Sequence, residues 1–521
     1  MQPKTANRLQ QPRTTKQKLI WLAALWGGLT TACQAPPATK NSPVPSVNAT
    51  SPAPITRFDG TTITVITRDL PPIAEPLKRR APEFEKLTGA KVNVITVPFG
   101  KLYQEIKQDL SQGTKKYDVI VFAPQWMVDY ATSGYLENLT QRVAADRNIE
   151  WNDIAPFFRD FSSTYQGKIV SIPLDGDFQM VYYRTDLLQA AGLNPPETWE
   201  EYLAIAKRFH QRDLNGDGTP DYGSCTAKKP NTLSYWMFWS VASSFLQSQG
   251  TQQGAFFDPD TMKPLVNNEA IATALDIYKE TAKYGPPDEL NFDLAQARDF
   301  FIAGRCALTL DWGDTGTLAI APNSRVKDKV GAVILPGTKK VLDRTTGKLI
   351  PCNKVICPFA LNGVNHAPYA AFGGWVGAIN KAVSPKNKDA GYAFISYLSQ
   401  PAQANIDVTI GVTGFNPYRT SQFTNREPWL KAGMSFETAS KYLGAIGVSL
   451  RSPNIVLDLR IPENNNYQGK VLDRALAAFL ASKITREEAL QQINNGWEEI
   501  TNKLGRANQR AAYRDTLGLI P

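Results

Sequence analysis

Residues 62–67 read Thr-Ile-Thr-Val-Ile-Thr, in which β-branched apolar and polar side chains alternate. Alternation with a period of two predicts a β-strand. Residues 75–88 then carry apolar side chains at helical spacing, and residues 92–97 (Val-Asn-Val-Ile-Thr-Val) predict a second strand. A strand, a helix and a strand in this order predict a βαβ unit, the building block of a parallel sheet.

The alternation of strands and helices continues along the chain. A helix is predicted over 103–112, and the apolar run at 117–122 (Tyr-Asp-Val-Ile-Val-Phe) is typical of a strand buried in a parallel sheet. Further helical periodicity is found at 199–212, 268–284, 389–398, 471–481 and 486–504. This pattern, in a chain of 521 residues with 42% hydrophobic content, predicts an α/β fold with a large core and two lobes.

The first 33 residues predict an export signal. Basic residues precede an apolar run at 19–28, and the segment ends in Leu-Thr-Thr-Ala-Cys at 29–33. The run is too short to cross a bilayer durably, and small residues at 30–32 would expose the bond before Cys33 to a signal peptidase. The segment resembles a bacterial lipoprotein signal, although Thr30 stands where that pattern favours Leu. We therefore expect a lipid on Cys33, with an ordinary secretory signal as the alternative.

Residues 34–57 are rich in Pro, Ala, Ser and Thr and have too little apolar content to fold. At about 3.1 Å per residue in the polyproline II conformation, this segment would form a tether of up to roughly 70 Å. The chain has a net charge of +9, of which five positive charges lie in the predicted signal. The remaining +4, without any later block of five or more Lys or Arg residues, disfavours a nucleic-acid partner.

Four cysteines follow the predicted signal, an even number in an exported chain, and predict two disulfides. Cys352 and Cys357 close a small loop and are expected to pair, so that Cys225 and Cys306 form the second bond by elimination. Free buried thiols are the alternative. No CxxC spacing indicates redox chemistry or zinc.

Residues 213–221 (Asp-Leu-Asn-Gly-Asp-Gly-Thr-Pro-Asp) are similar to a calcium-binding loop, with Gly at position 6. Oxygen ligands would come from Asp213, Asn215, Asp217, the Thr219 carbonyl and Asp221. Position 12, which should be a bidentate Glu, is Ser224. We predict a structural Ca²⁺ that is weak or completed by a distant carboxylate, with an Asx-rich turn as the alternative.

Several motifs occur in a set order along the chain. They are Ile-Pro-Leu at 172–174, Tyr-Tyr-Arg-Thr-Asp-Leu-Leu at 182–188, Ala-Gly-Leu at 191–193, Pro-Pro-Glu-Thr-Trp-Glu-Glu at 195–201, Phe-Ile-Ala-Gly-Arg-Cys-Ala-Leu at 301–308 and Gly-Gly-Trp-Val-Gly-Ala-Ile-Asn at 373–380. Together they resemble the family-1 extracellular solute-binding proteins, the maltose-binding-protein type that serves ABC importers. The resemblance covers nearly all of residues 60–505.

Local physics is consistent with these motifs. Pro195 and Pro196 exclude a continuing helix, and Thr198 with Glu201 predicts a capping box for the helix that begins at Trp199. Gly373 and Gly374 would allow the sharp bend of a chain that crosses between two lobes.

The resemblance implies a two-lobed periplasmic-binding-protein type II fold with interleaved lobes and a hinge. Lobe 1 would comprise residues 58–173 and 377–452, and lobe 2 residues 174–376 and 453–521. The ligand would lie in the cleft between the lobes, and the closed form would face a membrane permease.

Aromatic, acidic and amide residues occupy positions where the family places its cleft. The implied ligand-binding residues are Gln125, Trp126, Asp177, Tyr235, Trp236, Asp311, Trp312, Asp314, Gly374 and Trp375. Aromatic faces stack on the C–H face of a sugar, while carboxylates and amides accept hydrogen bonds from its hydroxyl groups. This composition favours a sugar or oligosaccharide and disfavours an anion. A polyamine or another cation is the alternative.

Catalytic groups are scarce. The chain has two histidines, His210 and His366, which we interpret as surface residues, and it lacks the GxSxG, HExxH and phosphate-loop motifs. A secreted glycoside hydrolase that uses Asp311 and Asp314 is a weaker alternative, because such enzymes rarely place both carboxyls three residues apart. An adhesion or signalling module with the same fold is weaker still.

We therefore predict a monomeric solute-binding component of an ABC importer, without enzymatic activity. It would be lipid-anchored at the outer face of the cytoplasmic membrane or in the periplasm. Its partners would be a small polar solute and the permease subunits.

Overall fold

The computed structural model describes residues 56–519, apart from the side chain of Thr413. The predicted signal, Cys33 and residues 34–55 of the predicted tether lie outside the described residues. The strands are β1 (Thr62–Arg68), β2 (Lys91–Val97), β3 (Val119–Phe122), β4 (Thr164–Tyr165), β5 (Lys168–Ile169), β6 (Ile172–Asp175), β7 (Met180–Arg184), β8 (Tyr222–Cys225), β9 (Cys306–Asp311), β10 (Val330–Val333), β11 (Lys340–Asp343), β12 (Lys348–Pro351), β13 (Tyr369–Ala370), β14 (Trp375–Ile379) and β15 (Val456–Leu457).

Helices alternate with these strands, as the hydrophobic periodicity predicts. They are α1 (Pro71–Thr88), α2 (Phe99–Gln112), α3 (Met127–Thr132), α4 (Thr140–Ala145), α5 (Thr185–Ala190), α6 (Trp199–Phe209), α7 (Ser234–Leu246), α8 (Glu269–Ala282), α9 (Leu294–Ile302), α10 (Asp314–Leu318), α11 (Pro385–Ser399), α12 (Pro401–Asp407), α13 (Thr420–Thr424), α14 (Glu427–Lys431), α15 (Phe436–Leu450), α16 (Asp473–Leu480), α17 (Arg486–Leu504) and α18 (Arg506–Thr516). Among the described residues, we find no helix both long and apolar enough to cross a membrane.

The predicted βαβ opening forms one side of a five-stranded sheet. Its strand order is β2-β1-β3-β14-β6, with β1 parallel to both β2 and β3. Strand β14 runs antiparallel to β3 and β6, so the far half of the sheet is antiparallel. All four residues of β3 are buried, which agrees with the apolar run that predicted a central strand.

A second sheet has four strands in the order β10-β7-β9-β8. Strand β7 is antiparallel to β9 and β10, and β8 is parallel to β9. The Cys225–Cys306 disulfide joins the end of β8 to the start of β9. Cys352 and Cys357 form the second disulfide, so both predicted pairings are present in the structure.

The chain passes from the first sheet to the second between β6 and β7, and it returns to the first sheet at β14. Before β14, Phe372, Gly373 and Gly374 have φ angles of 65°, 79° and 94°. A Cβ atom at Gly374 would lie 2.1 Å from the carbonyl oxygen of Asp175, so only glycine fits there. The predicted bend therefore occurs at the glycine pair, while the boundaries of the two predicted lobes stay a prediction.

All of the predicted helices are present, several with boundaries shifted by two to four residues, and two of these shifts have clear local reasons. Helix α6 begins with the predicted capping box of Thr198 and Glu201. It ends at Phe209 rather than at residue 212, because His210 is extended and Gln211 has a φ of 61°. Helix α16 begins at Asp473, since residues 466–472 form a wider π-helical turn.

Candidate ligand-binding cleft

A narrow cavity lies where ends of strands from the two sheets meet. Its volume is about 20 Å³, far below the ~300–1,000 Å³ of most ligand pockets, so side chains nearly fill it. It is lined by Arg68, Leu70, Pro72, Ile73, Asp175, Asp177, Leu294, Arg298, Trp312, Asp314, Phe372, Trp375 and Asn416. Arg68, Asp175 and Trp375 belong to the first sheet, and Trp312 follows β9 of the second.

A buried ion-pair network forms the second-sheet side of the cavity. The Nε atom of Arg298 donates to Oδ2 of Asp311 at 2.7 Å, and its Nη2 donates to Oδ2 of Asp314 at 2.8 Å. The hydroxyl of Thr315 and the backbone N–H of Trp312 also donate to Asp311, at 2.7 and 2.6 Å. Asp311 is therefore committed to holding Arg298 and the start of α10, and it is absent from the cavity lining.

Arg68 lies on the opposite side of the cavity, at the end of β1. Its guanidinium carbon is 4.7 Å from the ring centre of Phe99 and 5.6 Å from that of Trp375. Burial lowers the pKa of Arg68 to about 10, although the charge of Asp177 opposes this shift. The side chain is thus cationic at neutral pH, and its Nε atom is buried without a hydrogen-bond partner among the described residues.

Asp175 and Asp177 are two buried carboxyls that share a partner, Asn416. Asp175 accepts from the backbone N–H of Asn416, and Asp177 accepts from the Nδ2 of Asn416 at 3.2 Å. Burial, with the negative charge of Asp314, raises the pKa of Asp175 well above its usual range. Burial and the charges of Asp175 and Asp314 do the same to Asp177. Both carboxyls therefore favour the protonated form more strongly than an exposed aspartate does.

The raised pKa values of this pair lower the negative charge of the cavity. Two arginines also line it: Arg68, and Arg298, which pairs with the carboxylates of Asp311 and Asp314. The acidic composition that the sequence indicated for the cleft is thus offset by two arginines.

Aromatic rings form the remaining wall. Phe372 lies 4.3 Å from Trp236, 5.3 Å from Trp312 and 6.0 Å from Trp375, measured between ring centres. Phe99 contacts Phe372 at 5.9 Å and stacks on Trp126 at 5.4 Å. Trp312, Phe372 and Trp375 line this side of the cavity, and Trp236, Phe99 and Trp126 pack behind or beside them.

Asp458 fixes part of this wall. It accepts hydrogen bonds from Nε1 of Trp236 at 2.7 Å, the hydroxyl of Tyr369 at 2.8 Å and the backbone N–H of Phe372 at 2.9 Å. Burial raises the pKa of Asp458, and these donors act in the opposite direction.

The residues implied by the resemblance divide into three groups. Asp177, Trp312, Asp314 and Trp375 line the cavity. The remaining aromatic and amide candidates lie in or beside the aromatic wall, outside the lining: Gln125, Trp126, Tyr235 and Trp236. Asp311 supports Arg298, and Gly374 shapes the bend before β14.

Sequence reasoning missed several lining residues. Arg68 and Asp175 stand at the carboxyl ends of β1 and β6, a position that could have singled them out. Phe372 directly precedes the glycine pair, and this position could also have indicated it as a lining residue. Arg298 and Asn416 carry no local signal, because they reach the cavity only through tertiary packing.

The calcium prediction for residues 213–221 is not supported. No group of three or more His, Cys, Asp or Glu side chains within residues 56–519 is placed to hold a metal ion. Asp213 accepts from the backbone N–H groups of Gly216 and Gly218, at 2.7 and 2.9 Å. Asp221 pairs with Arg305 at 2.9 Å, and Ser224 at position 12 is bonded to Tyr202. The loop is an Asx-rich turn, the alternative stated for the sequence.

Chelation tests this conclusion. Backbone N–H groups and Arg305 already engage the carboxylates, so we expect no bound metal ion whose removal would destabilise the protein. EDTA should therefore change the melting temperature by less than about 1 °C. The measurement is thermal unfolding with EDTA, then with millimolar Ca²⁺. A calcium-dependent rise that Asp213→Asn abolishes would restore the calcium site.

The protein has the periplasmic-binding-protein type II fold, which defines a class of ligand-binding proteins. Its features are the two sheets, the crossings of the chain between them, and a polar and aromatic cavity where they meet. The profile of the bacterial extracellular solute-binding proteins matches residues 69–405, and the chain belongs to this family. It is the solute-binding component of an ABC transporter, and the family and its structural neighbours are binding proteins rather than enzymes.

Individual relatives agree with this assignment. A solute-binding protein from Agrobacterium radiobacter K84, solved with ribitol, has a TM-score of 0.68 and 26% identity and covers 85% of this chain and 100% of its own. A maltose-bound protein from T. maritima has a TM-score of 0.67 at 23% identity, with 84% and 100% covered, and supports the fold. A probable amino-acid ABC transporter periplasmic-binding protein of Sinorhizobium fredii is 22% identical over 66% of this chain and 70% of its own.

Proposed function

We propose that the solute is a neutral polyhydroxy compound, a sugar or a sugar alcohol, bound in this cavity. The observation that carries the proposal is a pair of buried polar atoms in residues that line the cavity and have no partner for these atoms in the described protein. They are Nε of Arg68 and Nε1 of Trp312, which are both donors. The oxygen of a hydroxyl group accepts hydrogen bonds, so a polyol can satisfy both atoms.

The charge balance of the cavity also favours a neutral solute. A cation would require ionised carboxylates, but burial raises the pKa of Asp175 and Asp177. An anion would be attracted to Arg298, whose charge Asp311 and Asp314 already offset. Burying an uncompensated charge is costly, so each charged solute is disfavoured.

Relatives bind solutes of the proposed kind. The structural neighbour from Agrobacterium radiobacter is bound to ribitol. A mannitol-binding protein of Pseudomonas aeruginosa is 26% identical over 47% of this chain and 52% of its own length. Because the Sinorhizobium fredii relative is named for an amino acid, amino acids belong among the solutes to be tested.

Binding would proceed by closure of two lobes around the solute. We propose the lobes at 58–173 with 377–452 and at 174–376 with 453–521, joined where the chain passes between them near residues 173, 376 and 452. Since the cavity is about 20 Å³ here, the solute must enter when the walls separate. Contacts made only in the closed form would then shift the population toward it, and the closed form would engage the permease.

The proposed anchor would keep this capture close to the transporter. A lipid on Cys33 and the Pro-rich tether at 34–57 would raise the effective concentration of the protein near its permease without fixing its orientation. Detection of diacylglycerol on the mature N-terminus would test this part of the proposal.

A solute panel tests the function directly. Purified protein is titrated with ribitol, mannitol, glucose, maltose, spermidine and glycine, and tryptophan fluorescence and thermal unfolding are followed. A bound solute at 100 times its Kd should stabilise the protein by about 2.7 kcal/mol. Binding confined to spermidine or glycine, or cleavage of a glycosidic bond, would contradict the proposal.

Asp175→Asn separates a neutral from a cationic solute. Asparagine resembles a protonated aspartate, so the affinity for the best polyol should change by less than about threefold. A cationic solute would instead lose its attraction to the charge of Asp175, and its affinity should fall by about tenfold or more. Asp407→Asn, a buried carboxylate paired with Arg79 and Arg80 far along the chain, controls for general damage. Calorimetric titration of each variant measures the change.

The same variant makes a pH prediction. The pKa of Asp175 is raised in the folded protein, so the favourable contribution of its proton is complete below the pKa of the unfolded chain. It is lost as pH rises through the folded value. Between pH 5 and pH 9, the free energy of unfolding should therefore fall more for the wild type than for Asp175→Asn. If the two free energies of unfolding depend on pH in the same way, the raised pKa of Asp175 is contradicted.

A further inference from the structure

Phe372 has an unusual backbone conformation. Its φ of 65° lies in the left-handed region, which bulky side chains rarely occupy, and Gly373 and Gly374 continue the same bend. Such a conformation persists only when the surrounding structure holds it. A phenylalanine directly before two glycines therefore needs an explanation.

The surroundings do hold Phe372. Its backbone N–H donates to Oδ2 of Asp458 at 2.9 Å, and the same oxygen accepts from Nε1 of Trp236 at 2.7 Å. The other oxygen of Asp458 accepts from the hydroxyl of Tyr369. One buried carboxylate thus fixes both the backbone of Phe372 and the indole against which its ring lies.

The ring of Phe372 occupies a slot between two indoles. It lies 4.3 Å from Trp236 at an interplanar angle of 37°, and 5.3 Å from Trp312 at 30°. The contact with Trp236 is tilted and that with Trp312 is stacked, so the ring covers two aromatic surfaces that would otherwise be available for stacking. The protein therefore fills one stacking position with its own side chain.

Phe372 lines the cavity that contains Arg68, Asp175 and Trp312. It also contacts Phe99, which stacks on Trp126. Gln125 directly precedes Trp126 in the chain and is fully buried, and neither atom of its amide has a hydrogen-bond partner among the described residues. A buried amide without a partner therefore lies next in sequence to a ring of the aromatic wall.

We propose that Phe372 determines the size of the solute. By filling the slot between Trp236 and Trp312, it restricts the site to one sugar unit or a linear polyol and rejects a disaccharide. This inference rests on the proposed function and narrows it to the small members of that class. Removal of the ring would free the space that it fills beside Trp236 and Trp312.

The test compares Phe372→Gly, Phe372→Ala and Phe372→Leu. Glycine adopts a φ of 65° without strain and removes the ring, while leucine keeps much of its bulk. Each protein is titrated calorimetrically with ribitol, mannitol, glucose, maltose and trehalose. Wild type should bind its best monomer at least about tenfold more tightly than either disaccharide. Phe372→Gly should gain about tenfold or more for a disaccharide, and Phe372→Leu should behave as wild type.

Phe256→Ala is the matched control. Phe256 is equally buried but packs on Trp239 at 4.6 Å, so its loss should lower the melting temperature and leave the size preference unchanged. If Phe372→Gly does not fold, the affinity of Phe372→Ala for disaccharides tests the inference in its place. A folded small variant without any gain for disaccharides, or a wild type that binds disaccharides as tightly as monomers, overturns the inference. A wild type that binds no sugar or polyol overturns the proposed function itself, before any variant is made.

Discussion

Arg298→Met is expected to lower the free energy of unfolding by about 3–5 kcal/mol, the usual cost of removing one partner from a buried ion pair. Arg298 is 7% exposed and pairs with both Asp311 and Asp314, which are themselves buried. Its loss would leave two carboxylates a few ångströms apart with no cation between them. Solute affinity should fall with stability, because Asp314 lines the cavity.

Two variants control this prediction. Arg298→Met combined with Asp311→Asn and Asp314→Asn removes the whole set of charges, and it should recover much of the lost stability, since no unpaired charge remains buried. Arg486→Met removes an arginine that also has two acidic partners, Asp276 and Glu487, but is 39% exposed. It should cost less than about 1 kcal/mol.

Guanidinium unfolding of the three proteins, followed by circular dichroism, measures these effects. A single Arg298→Met variant as stable as Arg486→Met would show that water or rearrangement compensates for the carboxylates. A triple variant less stable than the single one would show that Asp311 and Asp314 contribute more through hydrogen bonds than through charge.

Loss of the Cys225–Cys306 disulfide should cost about 4–5 kcal/mol, because in the chain-entropy account its loop restricts the unfolded chain strongly. The two cysteines are 81 residues apart in sequence and join neighbouring strands β8 and β9. Both are fully buried, so the Cys225→Ala, Cys306→Ala double variant also loses core contacts.

The second disulfide provides the comparison. Cys352 and Cys357 are five residues apart, and the same account predicts a loss of about 2 kcal/mol for the corresponding double alanine variant. Equilibrium unfolding of both double variants measures the two losses. Equal losses would contradict the dependence on loop length and would indicate that local packing governs both bonds.

Much of the fold could be predicted from periodicity and short motifs. The alternating residues at 62–67, the apolar run at 117–122 and the helical spacing at 486–504 match β1, β3 and α17, because side-chain burial follows the period of each element. The capping box at Thr198 and the two disulfides were also predictable, since both depend on a few residues close in sequence or limited in number.

The candidate site was only partly predictable. Trp312, Asp314 and Trp375 line the cavity, but Gln125, Trp126 and Trp236 lie in or beside the aromatic wall. The carboxylates at 213–221 matched a calcium loop in spacing, yet they accept hydrogen bonds from the loop backbone and from Arg305. Spacing gives the types of ligand available, and only the folded loop decides where their oxygens point.

The amino-acid sequence alone determined the α/β class, the disulfide pairs and the family, since each depends on local pattern, on a small number of residues or on the order of motifs. The tertiary structure decided the chemistry of the cleft. It brings Arg298 to both Asp311 and Asp314, raises the pKa of Asp175 and Asp177 by burial, and packs Phe372 against two indoles. Charge balance, pKa and the shape of a slot depend on residues far apart in the chain, and they exist only once the chain has folded.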